Sequence, residues 1–277
     1  MKPGLHLNVL ELDYHAGMGA DEPSLSVSGA KRILDSPARF RWERDNPPTK
    51  KVFDFGHAAH KKVLGVGLDV VACPPDLLAS NGAASTTKAK EWIAQAKADG
   101  KVVLSAKDIA VIDAMALTLE ASEAADLFRE GQPEVSMLWR DKDTNVLLRG
   151  RADWITTYHG VPLIVDYKTT GTANPEAFAW EAGRLDYPMQ DDWYREGAEA
   201  CTGDPHGFVF VAQEKTEPYL VSVIELDDET REIGAQRNAV ARRLYLDCMT
   251  RDQWPAYPGI HRVTVRNTRP AKEAAHV

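Results

Sequence analysis

The chain has 277 residues, 44% hydrophobic and 27% charged, a globular composition that excludes a disordered, collagen-like or coiled-coil protein and suffices to bury a core. Its three cysteines (Cys73, Cys201, Cys248) lie far apart with no CxxC pair, which disfavours a disulfide framework, a zinc ribbon and a four-cysteine iron–sulfur cluster. The formal net charge of −8 argues against a general nucleic-acid coat protein.

The first 24 residues are turn-rich and carry no clear period. Residues 28–45 read as a short helix, a break at Pro37 and a second short helix or turn, and residues 54–66 as a helix. Residues 86–98 form a helix that stops before Gly100, and Ser105 to Asp108 resembles a capping box opening a long helix to about Arg129. The pattern then changes to period two. Strands are expected over 134–140, 146–157 and, after a turn at His159-Gly160, over VPLIVDYK. Helices over 175–182 and 187–201, strands over 207–215 and 218–226 and a long helix over 227–249 complete the order. This predicts a single α/β domain across residues 1–277, with a central mixed sheet flanked by helices. Residues 1–130 would be a mainly helical elaboration, 131–257 the sheet-containing core and 258–277 a tail. With no long apolar segment at the N-terminus and no run of 18 apolar residues, a soluble, cytoplasmic protein without a membrane partner is expected.

Charge is unevenly spread. Residues 31–62 hold nine basic and four acidic side chains, and residues 237–277 hold eight and three, so the remainder is strongly acidic. Two such segments suit local binding of a polyanion or two solvated helix faces.

The chemistry concentrates in LLRGRADWITTYHGVPLIVDYKTT, residues 147–170. On LIVDYK the side chains alternate, so Ile164, Asp166 and Lys168 share one face. Asp153 lies on the preceding strand, across the His159-Gly160 turn, where a hairpin can bring it to Asp166. Two converging carboxylates repel unless one is protonated or a cation sits between them, and oxygen ligands of this kind suit Mg²⁺ or Mn²⁺. The bland reading is an intrastrand Asp166–Lys168 ion pair with Asp153 in a turn.

An Asp, a hairpin and an apolar strand ending in D-x-K resemble the PD-(D/E)XK nuclease superfamily. Upstream, FDFGHAAHKK carries G-x-x-x-H at Gly56 and His60, with His57 as a spare histidine on the same helix. Downstream, MQDDWYREG carries Q-x-x-x-Y at Gln190 and Tyr194. Together with the serine-containing segment SLSVSGAKRILDSPARFRWE, these pieces are similar to the RecB-like branch, and most to the RecE-like phage and prophage exonucleases of the exonuclease VIII type. Ala152 stands where the family name has proline, and the cysteine cluster of the iron–sulfur members is missing.

The resemblance implies that His60, Asp153 and Asp166 ligate a divalent metal, with the Tyr167 carbonyl as a further oxygen. Lys168 would position the attacking water and stabilise charge, since an unperturbed lysine is a poor base near neutral pH. Gln190 and Tyr194 would hold the scissile strand. Arg151, two residues before Asp153, would reach a phosphate, and Glu134 would contact a second metal. The implied activity is Mg²⁺-dependent exonucleolytic digestion of linear double-stranded DNA, leaving single-stranded ends for an annealing recombinase. Toroidal homo-oligomers occur among such enzymes. The alternatives are a structure-specific or single-strand nuclease of the same fold and a non-catalytic DNA-binding scaffold, which would have no need of converging carboxylates.

Overall fold

The computed structural model describes residues 1–46, 55–66 and 69–263. In chain order its elements are β1 (Gly4–His6), α1 (Glu11–His15), β2 (Leu25–Ser26), α2 (Val27–Asp35), α3 (Pro37–Asp45), α4 (Phe55–Leu64), β3 (Val70–Ala72), α5 (Thr87–Ala98), β4 (Val102–Leu104), α6 (Ala106–Glu120), β5 (Gln132–Arg140), β6 (Leu147–Tyr158), β7 (Val161–Thr170), α7 (Pro175–Arg184), α8 (Tyr187–Thr202), β8 (Gly207–Glu214), β9 (Val221–Ile224) and α9 (Asp228–Arg251).

Seven strands form one sheet in the order β1-β5-β6-β7-β8-β9, with β2 paired to β6 beyond the reach of β7. The β7–β8 and β2–β6 pairs are parallel and the others antiparallel, so the sheet is mixed, as expected. β3 and β4 make a separate two-stranded parallel pair. Apolar side chains cover both faces. Ile164, Phe208 and Phe210 pack with Phe178, Trp193 and Tyr245 from α7, α8 and α9. On the other face Val165, Tyr167 and Val211 meet Ala58, Ala59 and Ile112 from α4 and α6. Each large side chain fully buried in this way contributes roughly 1.5–3 kcal/mol against exposure.

Local chemistry sets the element ends. Ser26, Ser36, Thr86 and Asp227 accept hydrogen bonds from the first turns of α2, α3, α5 and α9. Pro37 breaks the run as the sequence indicates: α2 ends at Asp35, and Ser36 caps a new helix with Pro37 in its first turn. His159 and Gly160 have φ of 48° and 83°, the left-handed pair a two-residue hairpin turn needs.

Two expectations are corrected. The helix opened by Ser105 ends at Glu120, because Ser122 turns its hydroxyl back to the Leu119 carbonyl at 2.7 Å, and a 3₁₀ turn over Glu123–Phe128 follows. The first 24 residues supply β1, which pairs with Leu138–Ser136 of β5, and the short α1. Among the described residues no helix is long and apolar enough to cross a membrane.

Candidate active site

The hairpin β6–β7 is paired from its turn as far as Trp154 opposite Val165. One step further, Asp153 and Asp166 stand in register, but the strands have parted. Beyond this point the same edge of β6 is taken by β2, at Leu148 and Arg149, so the gap between β7 and β2 opens beside Asp153. β7 itself stays in the sheet by pairing with β8, Asp166 opposite Phe210 and Lys168 opposite Ala212. The other edge of β6 shows a matching interruption. Pro133 pairs with Trp154 and Val135 with Ala152, but Glu134, at φ 51°, drops out of the ladder opposite Asp153. Glu134, Asp153 and Asp166 therefore lie in a row across three strands.

Each carboxylate has its own surroundings. The parted backbone leaves the Tyr167 N–H free to donate to Asp153 Oδ2, at 2.9 Å. The same oxygen lies 3.5 Å from Nδ1 of His60 on α4, whose ring meets the Tyr167 ring edge-on with centroids 5.2 Å apart. The Tyr167 hydroxyl in turn donates to Gln213 Oε1 at 2.6 Å, fixing the ring that supports His60. Asp166 is fully buried; Gln190 donates from Nε2 to its Oδ1 at 2.5 Å, and the Lys168 ammonium pairs with its Oδ2. No well-directed hydrogen bond reaches Oδ2, so the pairing there is one of charge.

The electrostatics follow from burial and crowding. Burial, aided by Asp153, pushes the Asp166 carboxyl well above the usual carboxylate range, with Lys168 opposing. Burial acts to lower Lys168, but Asp166 and Asp153 outweigh it and hold the ammonium above its ordinary value. Glu134 is raised to about 7, by burial first and then by Asp153, with Arg151 opposing. Repulsion among carboxylates set in one row is relieved by a nearby cation.

His60, Asp153 and Asp166 fit a divalent metal in kind: one imidazole nitrogen and two carboxylates, with a buried Asp166 oxygen that no directed hydrogen bond satisfies. Among the described residues no three such groups are gathered on one point, because Asp166 faces Lys168 and Gln190. Lys168 occupies the cationic position beside it. The His57 side chain lies outside the described residues.

Three further side chains, Gln190, Tyr194 and Arg151, have close protein partners. Gln190 is buried against Asp166 and holds that carboxylate from behind, while Tyr194, only 8% exposed, packs its ring 6.3 Å from that of Phe208. Gly150 on β6 makes this possible, since a Cβ there would lie 3.2 Å from the Tyr194 ring. Arg151 does not face an open phosphate site. Its side chain is 10% exposed, donates to Ser136 Oγ at 3.0 Å and to the Val9 carbonyl at 2.8 Å, and stacks 4.4 Å from the centre of the Tyr14 ring. Tyr14, which gave no signal in the sequence, thus packs against the guanidinium groups of Arg149 and Arg151. The two basic segments meet where α2 and α3 approach α9, but much of their charge is internally paired. Arg32 pairs with Glu43, Arg41 with Asp45 and Asp252, and the buried Arg242 with Asp141 and Glu196.

One solved structure shares this architecture. A "putative exonuclease" from Eubacterium rectale is similar in structure over 91% of this chain and 90% of its own, with a TM-score of 0.60 and 13% sequence identity, a likeness of fold. An alkaline exonuclease from Laribacter hongkongensis is 15% identical over 69% of this chain and 97% of its own, with a TM-score of 0.26. No curated protein matches the sequence. Residues 26–264, from the cap of α2 to beyond α9, match one family throughout, and the chain belongs to it: the PDDEXK-like domain of unknown function, DUF3799.

Proposed function

We propose that the protein is a divalent-metal-dependent deoxyribonuclease that hydrolyses DNA phosphodiesters from a free duplex end. The observation that carries this reading is the row of Glu134, Asp153 and Asp166 at the parting of the hairpin, with Lys168 beside it. A solvated surface has no reason to crowd three carboxylates, and a structural ion pair has no reason to leave two of them opposed across unpaired strands.

His60, Asp153 and Asp166 would hold the metal, with the Tyr167 carbonyl as a further oxygen, and Mg²⁺ or Mn²⁺ suits that donor set. The bound cation would acidify water and offset the charge developing on the phosphate. The remaining work falls to the chain. Water attacks phosphorus, the phosphorus–oxygen ester bond breaks, and a terminal phosphate and a free hydroxyl result. Gln190 fixes Asp166 from behind, so that carboxylate arrives already oriented. Lys168, held charged by its aspartates, orients the attacking water and stabilises the pentacoordinate phosphate, and burial strengthens both effects.

The free-end requirement rests on the resemblance to exonuclease VIII-type enzymes and on the fold shared with the E. rectale protein. Single-stranded ends made in this way would feed an annealing recombinase. Digestion of end-labelled linear duplex and closed-circular duplex, with Mg²⁺ or with EDTA, tests the reading. Loss of label from linear DNA alone, only with metal, is expected. Cutting of the closed circle would make the protein an endonuclease, and inactivity on every DNA with Mg²⁺ and Mn²⁺ would overturn the assignment.

A further inference from the structure

The ammonium of Lys31, on α2, lies 5.6 Å from the centre of the Tyr187 ring, and the ammonium of Lys168 lies 5.0 Å from the same centre. One aromatic ring is thus approached both by the active-site lysine and by a second lysine on a different element. Lys31 spends one N–H on the Leu185 carbonyl, at 2.8 Å, and keeps two further donors. It forms the inner end of a groove between α2 and α9, whose apolar wall is Leu34, Ile233 and Val240. The groove's other cation, Arg237, is paired to Asp186 at 3.1 Å, and its second carboxylate, Asp35, is paired to Arg39, which leaves Lys31, among the described residues, as the lining cation without a carboxylate of its own. Ile233 and Val240 are half exposed and lie two turns apart on one face of α9. A cation at the inner end and an apolar wall leading outward match an amphipathic ligand with an anionic head. Burial first, and then the neighbouring Lys168, lower the Lys31 ammonium to about 8, and an anion beside Lys31 would favour its charged form.

We propose that the α2–α9 groove is a nucleotide subsite beside the active site, next to the Tyr187 ring that Lys31 and Lys168 both approach, in which Lys31 holds a phosphate near the scissile one and Leu34, Ile233 and Val240 receive its sugar and base. This rests on the nuclease reading and adds a place where the strand runs. The phosphate is either an internal diester or a terminal monoester, which share the same recognition chemistry.

The test uses the full chain in Ca²⁺, with short labelled single strands carrying a 5′-phosphate, a 3′-phosphate or neither, titrated over a range of salt. Lys31→Gln removes the charge and keeps a donor, and Val240→Glu places a carboxylate in the groove wall at an exposed site that tolerates it. Each is expected to weaken binding about tenfold, and Lys31→Gln to lower the salt slope by about 0.7, the value of one phosphate contact on a single strand. Equal losses on all three strands identify an internal diester, and a loss confined to one phosphorylated strand identifies a terminal monoester. Parent-like affinity and salt slope for Lys31→Gln on all strands overturn the proposal, whatever Val240→Glu does. If Lys31→Gln fails to fold by circular dichroism, parent-like binding by Val240→Glu overturns it instead. A parent that binds and cleaves while the variants match it removes the subsite alone. A parent that neither binds nor cleaves DNA removes the nuclease reading and the subsite with it.

Discussion

The main-chain N–H of Tyr167 donates to Asp153 Oδ2, although the strands carrying these two residues are no longer paired at that point. A side-chain oxygen has replaced the cross-strand carbonyl as acceptor. The substitution satisfies the parted backbone and simultaneously fixes Asp153 beside His60 and opposite Asp166. It follows that Asp153 has two roles, one in the backbone and one in the site, whereas Asp166 has only the second. Asp166→Asn and Asp153→Asn should both abolish metal-dependent cleavage. Asp153→Asn should also lose about 1 kcal/mol of stability, from the weakened hydrogen bond. Asp166→Asn removes a buried charge and a repulsion but leaves the Lys168 ammonium without its partner, so without metal it should melt no higher than the parent. Cleavage assays and thermal melting in EDTA check both, and near-parent cleavage in either variant would show that the site is elsewhere.

The two histidines of α4 separate cleanly by experiment. His60 touches both Asp153 and the Tyr167 ring. His60→Ala should therefore weaken metal binding and activity much more than His57→Ala. The loss should be partly rescued by Mn²⁺, which accepts nitrogen ligands more readily than Mg²⁺. Calorimetric titration of both variants with each ion reads the difference. An equal or greater loss at His57 would transfer the ligand role to that residue.

Asp153, Asp166 and Lys168 were legible because period two and a two-residue turn fix both the face and the register of a hairpin. Once His159-Gly160 is placed, Asp153 must face Asp166, and the structure sets them opposite each other. Gln190 could be located on its helix from sequence, but its bond to Asp166 depends on how α8 crosses the sheet, which no local pattern records. The surroundings of Arg151 were hidden for a related reason. Its partners, the Val9 carbonyl and the Tyr14 ring, come from a segment whose strand is three residues long and whose helix is five, too short to show any period. Gly150 illustrates the same limit, since its reason is a ring brought from 44 positions away in sequence.

Arg151 is accordingly expected to act on stability. Arg151→Ala should cost about 1–3 kcal/mol, by leaving Ser136, Val9 and the Tyr14 face without their partner. The affinity of the folded variant for DNA in Ca²⁺, and its salt slope, should match the parent. A drop in the slope by about one phosphate contact, with unchanged melting, would return Arg151 to the substrate side.

Metal-free stability should fall as pH rises through the weakly acidic range. Glu134, raised to about 7 by burial and by Asp153, keeps a proton in the folded state that the unfolded chain releases near 4.5. Between those values the folded protein binds more protons, so unfolding becomes easier with increasing pH, and the loss is complete above about 7. Asp166 acts in the same direction. Glu134→Gln removes one of these groups, so its melting temperature in EDTA should decline less between about pH 5 and 8 than that of the parent. Parallel pH profiles for parent and variant would place Glu134 outside the crowded row.

Lys168→Met tests the chemistry most directly. The substitution keeps the aliphatic stem against the Tyr187 ring and deletes only the charge and its donors. No metal ligand is lost, so binding of Mg²⁺ or Mn²⁺ should survive, and it should tighten because a cation no longer competes for Asp166. Asp166 loses the partner that opposes its protonation, so its carboxyl should rise further and metal binding should become more strongly pH-dependent. The single-turnover cleavage rate should fall by roughly 10²–10³, the usual worth of one well-placed electrostatic donor in a water-poor site. DNA affinity in Ca²⁺ should change little, because it rests on many phosphate contacts. A variant that loses DNA binding but keeps its single-turnover rate would make Lys168 a substrate contact and leave the charge stabilisation to the metal.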